Sequence, residues 1–231
     1  MTDANGNISS AVSYSLEQIK NKEYRITVTA DNEWMNDESR AFPVTIDPPI
    51  HVTSYSAIDT YVYEGSPASN YGALPYGFVG YMGEDSYRYY WKLSSLPAIP
   101  QNSIVTWAAL SLYQEDYACS SGDLSSIPVG AHEVLSSWSD STSWNTKPNV
   151  KYDVEDYQIV SANTNNSYIT WDITQVAKKW YYGSSNYGLA FYAIPERDTN
   201  GGIARMAFTT SDYSSQTPIF TLIYRNSVGL D

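Results

Sequence analysis

The chain has 231 residues, enough for one sizeable core with a smaller unit beside it, and well above the size at which disulfide or metal staples become necessary. Its formal charge of −12, with only 13 scattered Lys and Arg, argues against nucleic acid and against anionic membranes as partners, because a phosphate-binding surface needs clustered cations. Cys119 is the only cysteine, so neither an internal disulfide nor a cysteine-rich metal site can form. No run of about 18 apolar residues occurs and the start lacks a basic and then apolar leader, so no membrane insertion is expected; an export signal would lie outside this fragment.

The aromatic mass is 22 Tyr and 7 Trp against 5 Phe, rings with a polar tip that suit strands and wet surfaces. Period-2 alternation begins at 11–16 and is clearest at 24–30, where Tyr24, Ile26, Val28 and Ala30 share one face. A third strand is expected at 42–46. Pro48 and Pro49 then stop any ladder, and 48–51 reads as a linker. Three short strands are few for an independent fold, so residues 1–47 are expected to be a small β segment: the tail of a preceding domain, or a flap on the main one.

Beyond the linker, alternation recurs at 59–63, 87–93, 104–113, 127–134, 168–173, 189–194 and 219–224, separated by Gly, Ser, Asn and Pro stretches such as those at 64–72 and 120–123. Only one segment follows a helical period: Ile173, Val176, Ala177 and Trp180 fall at i, i+3, i+4 and i+7. Asp172 is expected to cap that helix with Gln175 at the third position, and Gly183 to end it, giving a helix over about 173–182. The pattern predicts an all-β fold, a jelly-roll-like sandwich over 52–224 with one short helix, and 225–231 as the start of a linker to a following region.

Ordered motifs run through this span: Asp59-Thr-Tyr-Val62, Ser69-Asn-Tyr-Gly72, Tyr87-Arg88 leading into Lys92-Leu-Ser-Ser-Leu-Pro97, Ser137-Trp138 with Thr142-Ser-Trp-Asn-Thr-Lys-Pro148, Thr170-Trp-Asp-Ile-Thr174 and Ser185-Asn-Tyr-Gly188. Together they resemble the DNRLRE-type domain, a fold similar to carbohydrate-binding modules, although the name-giving motif itself is absent. The flanks Glu33-Trp34, Arg40-Ala-Phe-Pro-Val-Thr-Ile-Asp-Pro48 and Tyr224-Arg-Asn-Ser-Val-Gly-Leu-Asp231 are similar to segments bordering that domain in Rhs/YD-repeat and wall-associated proteins of Firmicutes. The resemblance implies a non-catalytic module cut from a large secreted or cell-surface bacterial protein. Its partners would be a glycan or cell-surface polysaccharide and other domains of the parent chain. A structural spacer ahead of a YD-repeat region is the alternative, and a polysaccharide-active enzyme the second alternative.

The residues themselves favour binding over catalysis. There are two His, no metalloprotease, nucleophile-elbow or phosphate-loop pattern, and no base assigned to Cys119. His132 reads as a structural imidazole beside Glu133. Candidate ring platforms are Tyr63, Tyr76, Tyr81, Tyr87, Trp138 and Trp144, with Asn145 as a hydrogen-bonding partner; packing of both Trp under a long loop is the competing reading. Asp59, Asn70, Asp172 and Asn186 stand at strand ends or turns and carry the oxygens that a structural Ca²⁺ would take, against roles as helix cap and turn formers. Lys92, Asn186 and Asp172 are also the set a Lys–Asn isopeptide would need. Because Arg88, Lys147 and Lys151 look dispersed, the ligand expected from charge is a neutral or weakly charged saccharide.

Overall fold

The computed structural model describes all residues except 8, 21–22, 45, 47–49, 53–56, 102, 121–124, 199 and 227–231. The core of the expected linker, the turn at 121–123 and most of the expected C-terminal linker therefore lie outside the described residues. The chain divides into two compact units, Met1–Pro48 and Pro49–Asp231.

In the first unit β1 (Val12–Lys20) and β2 (Glu23–Ala30) form an antiparallel hairpin with Val12 opposite Ala30. Instead of a third strand, a single helical turn, α1 (Asn32–Met35), follows, capped by the Asp31 carboxylate accepting from Trp34 N at 2.8 Å. The described residues of 42–46 carry no strand; Pro43 has no N–H to give a ladder. Among the described residues a polar cluster stands out. The buried Asp3 carboxylate accepts from Asn5 N, Asn7 N and Arg40 Nη1, and the Arg40 guanidinium lies 3.6 Å from the Trp34 ring centre.

The second unit is the expected β-sandwich with a short helix. Its strands are β3 (Ile50–Val52), β4 (Ala57–Tyr63), β5 (Tyr76–Met82), β6 (Asp85–Leu93), β7 (Ser103–Cys119), β8 (Ser126–Val134), β9 (Val150–Ser161), β10 (Ser167–Asp172), β11 (Leu189–Ala193), β12 (Ile203–Thr209) and β13 (Ile219–Asn226). All pair antiparallel in one sheet of order β3-β13-β7-β12-β5-β6-β11-β8-β9, with β10 added to β7 and β4 to β6. Two strands change partners along their length. β6 holds β4 along one edge over Tyr87–Leu93, while on its other edge it pairs β5 over Asp85–Tyr87 and then β11 over Tyr89–Trp91; β7 pairs β13 over 103–111 and β12 over 114–119. These exchanges curl the sheet back on itself into two packed layers.

Alternation decides what lies between them. On β6, Tyr87, Tyr89, Trp91 and Leu93 face the main core with Phe191, Trp171, Phe208 and Phe220 from other strands; Trp171 donates its indole N–H to Val129 O at 2.9 Å. The helix α2 (Thr174–Tyr181) closes one end, burying Val176, Ala177 and Trp180, with Ile173 N bonded to Ala108 O. Asp172 binds Thr174 N at 2.8 Å, so the capping position is Ile173, one residue later than the sequence suggests, and Gly183 at φ +110° ends the helix. Among the described residues no helix is long and apolar enough to cross a membrane.

Candidate functional site

The even positions of β6, Arg88, Tyr90 and Lys92, face away from the main core, as do Val62, Ala190, Tyr192, His132 and Val134 on neighbouring strands. This outer face is half roofed. The long connection between β8 and β9 lays Trp138 over Tyr90, with ring centres 5.7 Å apart, and fastens it by an indole N–H bond to Tyr187 O at 2.6 Å. Lys92 covers the ring from above, 4.5 Å from its centre, and donates to Trp138 O. Burial pulls the Lys92 pKa down, and the nearby Asp140 charge pushes the other way.

The uncovered half is a groove of about 890 Å³, within the range of small-ligand sites. Its floor is Tyr192 stacked on His132, ring centres 4.0 Å apart and 9° from parallel, with the Arg88 guanidinium 4.7 Å from the Tyr192 ring. His132 can take this position because the residue beneath it is Gly130: a Cβ there would sit 2.6 Å from His132 Nε2. His132 Nδ1 lies 3.2 Å from Lys151 O, Nε2 is buried without a partner among the described residues, and burial lowers the imidazole pKa, which favours the neutral form. One wall is the 3₁₀ turn Trp144–Thr146 with Lys147 and Asn149; the other is the segment Ile194–Glu196 beyond β11; β9 forms the rim through Tyr152, Asp153 and Val154.

The charges in the groove are tied to one another. Glu196 gives both oxygens to Arg88, at 2.5 and 2.9 Å. Burial opposes the Arg88 charge, but this two-point grip outweighs it and holds the guanidinium above its ordinary pKa. Lys147 lies over the Trp144 ring at 4.0 Å and donates to Trp144 O; burial and then the Arg88 charge lower its pKa. Arg88 is itself 5.5 Å from the same ring. The expectation that Arg88 and Lys147 are dispersed is therefore corrected: folding brings both to Trp144.

Residues 50–224, which include every residue of the groove, match carbohydrate-binding module family 96. The chain belongs to that family. It is also similar, at 31% identity over 200 residues, to the tRNA nuclease WapA of Bacillus subtilis (strain 168) and to the tRNA3(Ser)-specific nuclease WapA of Bacillus spizizenii. In each case the match covers 80% of this chain, which spans about 8% of the length of the relative.

Set on this family 96 fold, the residues singled out in the sequence separate. Trp144 and Asn145 line the groove. Trp138 does not: it is 8% exposed and belongs to the layer beneath the loop. Tyr81 and Tyr87 are buried, at 2% and 5% exposure, because both point into the main core, so neither is a platform. Tyr63 is half-buried and stacked on Tyr87 at 4.2 Å, and Tyr76 packs against Tyr213, both away from the groove. Reasoning from the sequence missed Tyr152, Tyr192, Asn149 and Glu196. Tyr192 sits in the alternating stretch 189–194, a signal that was readable; Tyr152 lies on β9, whose alternation is broken, and Glu196 lies 108 residues from its partner Arg88, so neither had one.

The oxygen carriers do not assemble either. Asp59 is buried inside the sandwich and accepts from Ser211 N at 2.7 Å; Asn70 accepts from Gly72 N within its own turn; Asp172 serves the helix start; Asn186 donates to Leu93 O. The carboxylates of Asp59 and Asp172 and the Asn70 amide oxygen are thus engaged, Asn186 Oδ1 is buried without a partner among the described residues, and among those residues no group of three or more acidic, His or Cys side chains is arranged to hold a metal. Lys92 and Asn186 likewise bond to different backbone carbonyls rather than to each other.

Proposed function

We propose that the Pro49–Asp231 unit is a non-catalytic glycan-binding module of a large bacterial secreted or surface-attached protein, with its ligand in the groove beside Trp144. Membership of family 96 supports glycan as the ligand class. The observation that carries the site is an open groove in which the half-exposed Trp144 ring and Tyr152, at 94% exposure, stand next to polar groups able to reach sugar oxygens. Lys147, Asn145 and Asn149 supply donors, and aromatic faces supply the apolar contact that sugar C–H surfaces need. A spacer has no use for solvent-facing rings around such a groove, so binding is favoured over that reading.

The enzyme reading fares worse. Two carboxylates, Asp153 and Glu196, line the groove. Glycoside hydrolysis needs one carboxyl free to donate a proton and another free to attack or to activate water. Glu196 has both oxygens on Arg88, and Asp153 is exposed and paired with Lys151 at 3.4 Å. The nuclease activity in the relatives' names we assign to parts of those proteins outside the matched 8%. The similarity of the flanks to Rhs/YD-repeat proteins supports a place at the cell surface, next to other domains of the same chain.

Affinity gel electrophoresis against hydroxyethylcellulose, galactomannan, xylan, polygalacturonate and alginate tests the proposal. Retardation by at least one polymer, abolished in Trp144→Ala, is the expected result. Unchanged mobility in all five, or retardation that survives Trp144→Ala, refutes it.

A further inference from the structure

We infer that the binding surface continues out of the groove along β9 onto an apolar stripe in which Tyr157 is a second ring platform, so that the module takes an internal stretch of an extended polysaccharide. This rests on the glycan-binding reading and adds to it the length and form of the ligand.

The stripe exists because of a register shift. Val154 stands opposite His132, whereas Tyr157 stands opposite Gly130 and Ile159 opposite Pro128, with the irregularity falling between the two stretches. Residues directly opposite in a sheet share a face, and in a regular strand positions 154 and 157 would point to opposite sides. The extra residue reverses the alternation. Val154, Tyr157 and Ile159 are thereby all placed on the outer face, the groove's own face, which Tyr152 shares by lining the groove.

The side chains are open and continuous with the groove. Tyr157 is 56% exposed and Ile159 54%. Val154 and Ile194, both groove residues, close over Gly130: a Cβ there would meet Ile194 Cδ1 at 2.8 Å and Val154 Cγ2 at 3.0 Å. Beyond them Pro128, Ile194 and Pro195 line a neighbouring recess of about 640 Å³. Soluble domains rarely leave a contiguous apolar strip of this kind without a use. From Tyr152 to Tyr157 the strand advances roughly 13–16 Å, at about 3.3 Å per residue. A ligand touching both rings must be a chain of several sugars. Addition of a protein strand to the edge of β9 is less suited, because β10 already donates Asp172 N to Asp156 Oδ2 at 2.9 Å on that edge.

Calorimetry with a ladder from disaccharide to hexasaccharide, prepared from the polymer that retards the protein, tests this. Affinity should rise with length; Tyr157→Ala should lose about three- to tenfold on the hexasaccharide, as expected for one ring contact, and nothing on the disaccharide. Tyr157→Phe, which keeps the ring, should match the parent. A hexasaccharide affinity unchanged in Tyr157→Ala but lost in Trp144→Ala overturns the stripe and leaves the groove standing. Failure of the parent to bind any polymer overturns both readings. Concentration-dependent self-association in sedimentation velocity, removed by Tyr157→Ala while the ladder affinities stay the same, makes the stripe a contact between copies and also overturns the inference.

Discussion

Replacing Trp138 and Trp144 one at a time separates a roof from a platform, although the two stand six residues apart in one loop. Trp138 is 8% exposed, packs on Tyr90 and holds Tyr187 O through its indole N–H. Truncating a buried Trp costs about 3–5 kcal/mol, of which about 1 kcal/mol is the hydrogen bond. For a unit of this size each kcal/mol lowers the melting temperature by about 2–4 °C, so Trp138→Ala should melt roughly 6–20 °C below the parent. Trp144 is half-buried, and Trp144→Ala should cost only about 1–2 kcal/mol while abolishing glycan retention. Thermal melts followed by circular dichroism, paired with affinity electrophoresis below the lower melting point, read both quantities. A Trp138→Ala melt within about 2 °C of the parent, or a larger drop for Trp144→Ala, would refute this assignment of core and surface.

Asp59 is 3% exposed, and burial pushes its pKa from 3.8 to about 6 against the opposing hydrogen bond from Ser211 N. A raised carboxyl pKa means that the folded state binds the proton more tightly, so stability falls as pH rises from 3.8 through about 6, by about 3 kcal/mol in total. Asp59→Asn should therefore melt higher than the parent at pH 8 and equal to it near pH 4; a difference independent of pH contradicts the burial argument. Glu196→Gln leaves Arg88 partly buried without its counter-charge and should cost about 1–2 kcal/mol, less than a fully buried pair because both side chains keep some solvent, with a correspondingly lower melting temperature as the readout. Since Asp59, Asn70 and Asp172 each accept from a backbone N–H and no cluster of acidic or His side chains forms among the described residues, excess EDTA should leave the melting temperature unchanged; a clear drop restored by Ca²⁺ would show a cation site that these contacts do not reveal.

The strands at 59–63, 87–93 and 127–134 were legible because alternation is a local property: a half-buried strand needs an apolar residue at every second position wherever it lies. The helix stripe through Trp180 and the stop at Gly183 were legible for the same reason. β5, β9 and β12 were not. Glycines interrupt β5, and charges and a bulge break the alternation of β9. That last omission hid the rim of the groove and the stripe beyond it.

Which tyrosines face water could not be read from composition, because Tyr81, Tyr87 and Tyr152 are chemically alike and differ only in which side of a curled sheet they meet. The sequence by itself determined a β-sandwich with one helix, and it singled out Trp144 and Asn145, which the structure places in the wall of the groove. Tertiary structure alone decided that Trp138 is a roof and Trp144 a wall, that Arg88 meets Glu196 across 108 residues, and that β9 brings Tyr152 and Tyr157 to one face. Alternation reports that a side chain leaves the strand on one side or the other. What waits on that side is set by strands and loops distant in sequence, whose arrival depends on register and on the partner exchanges of β6 and β7.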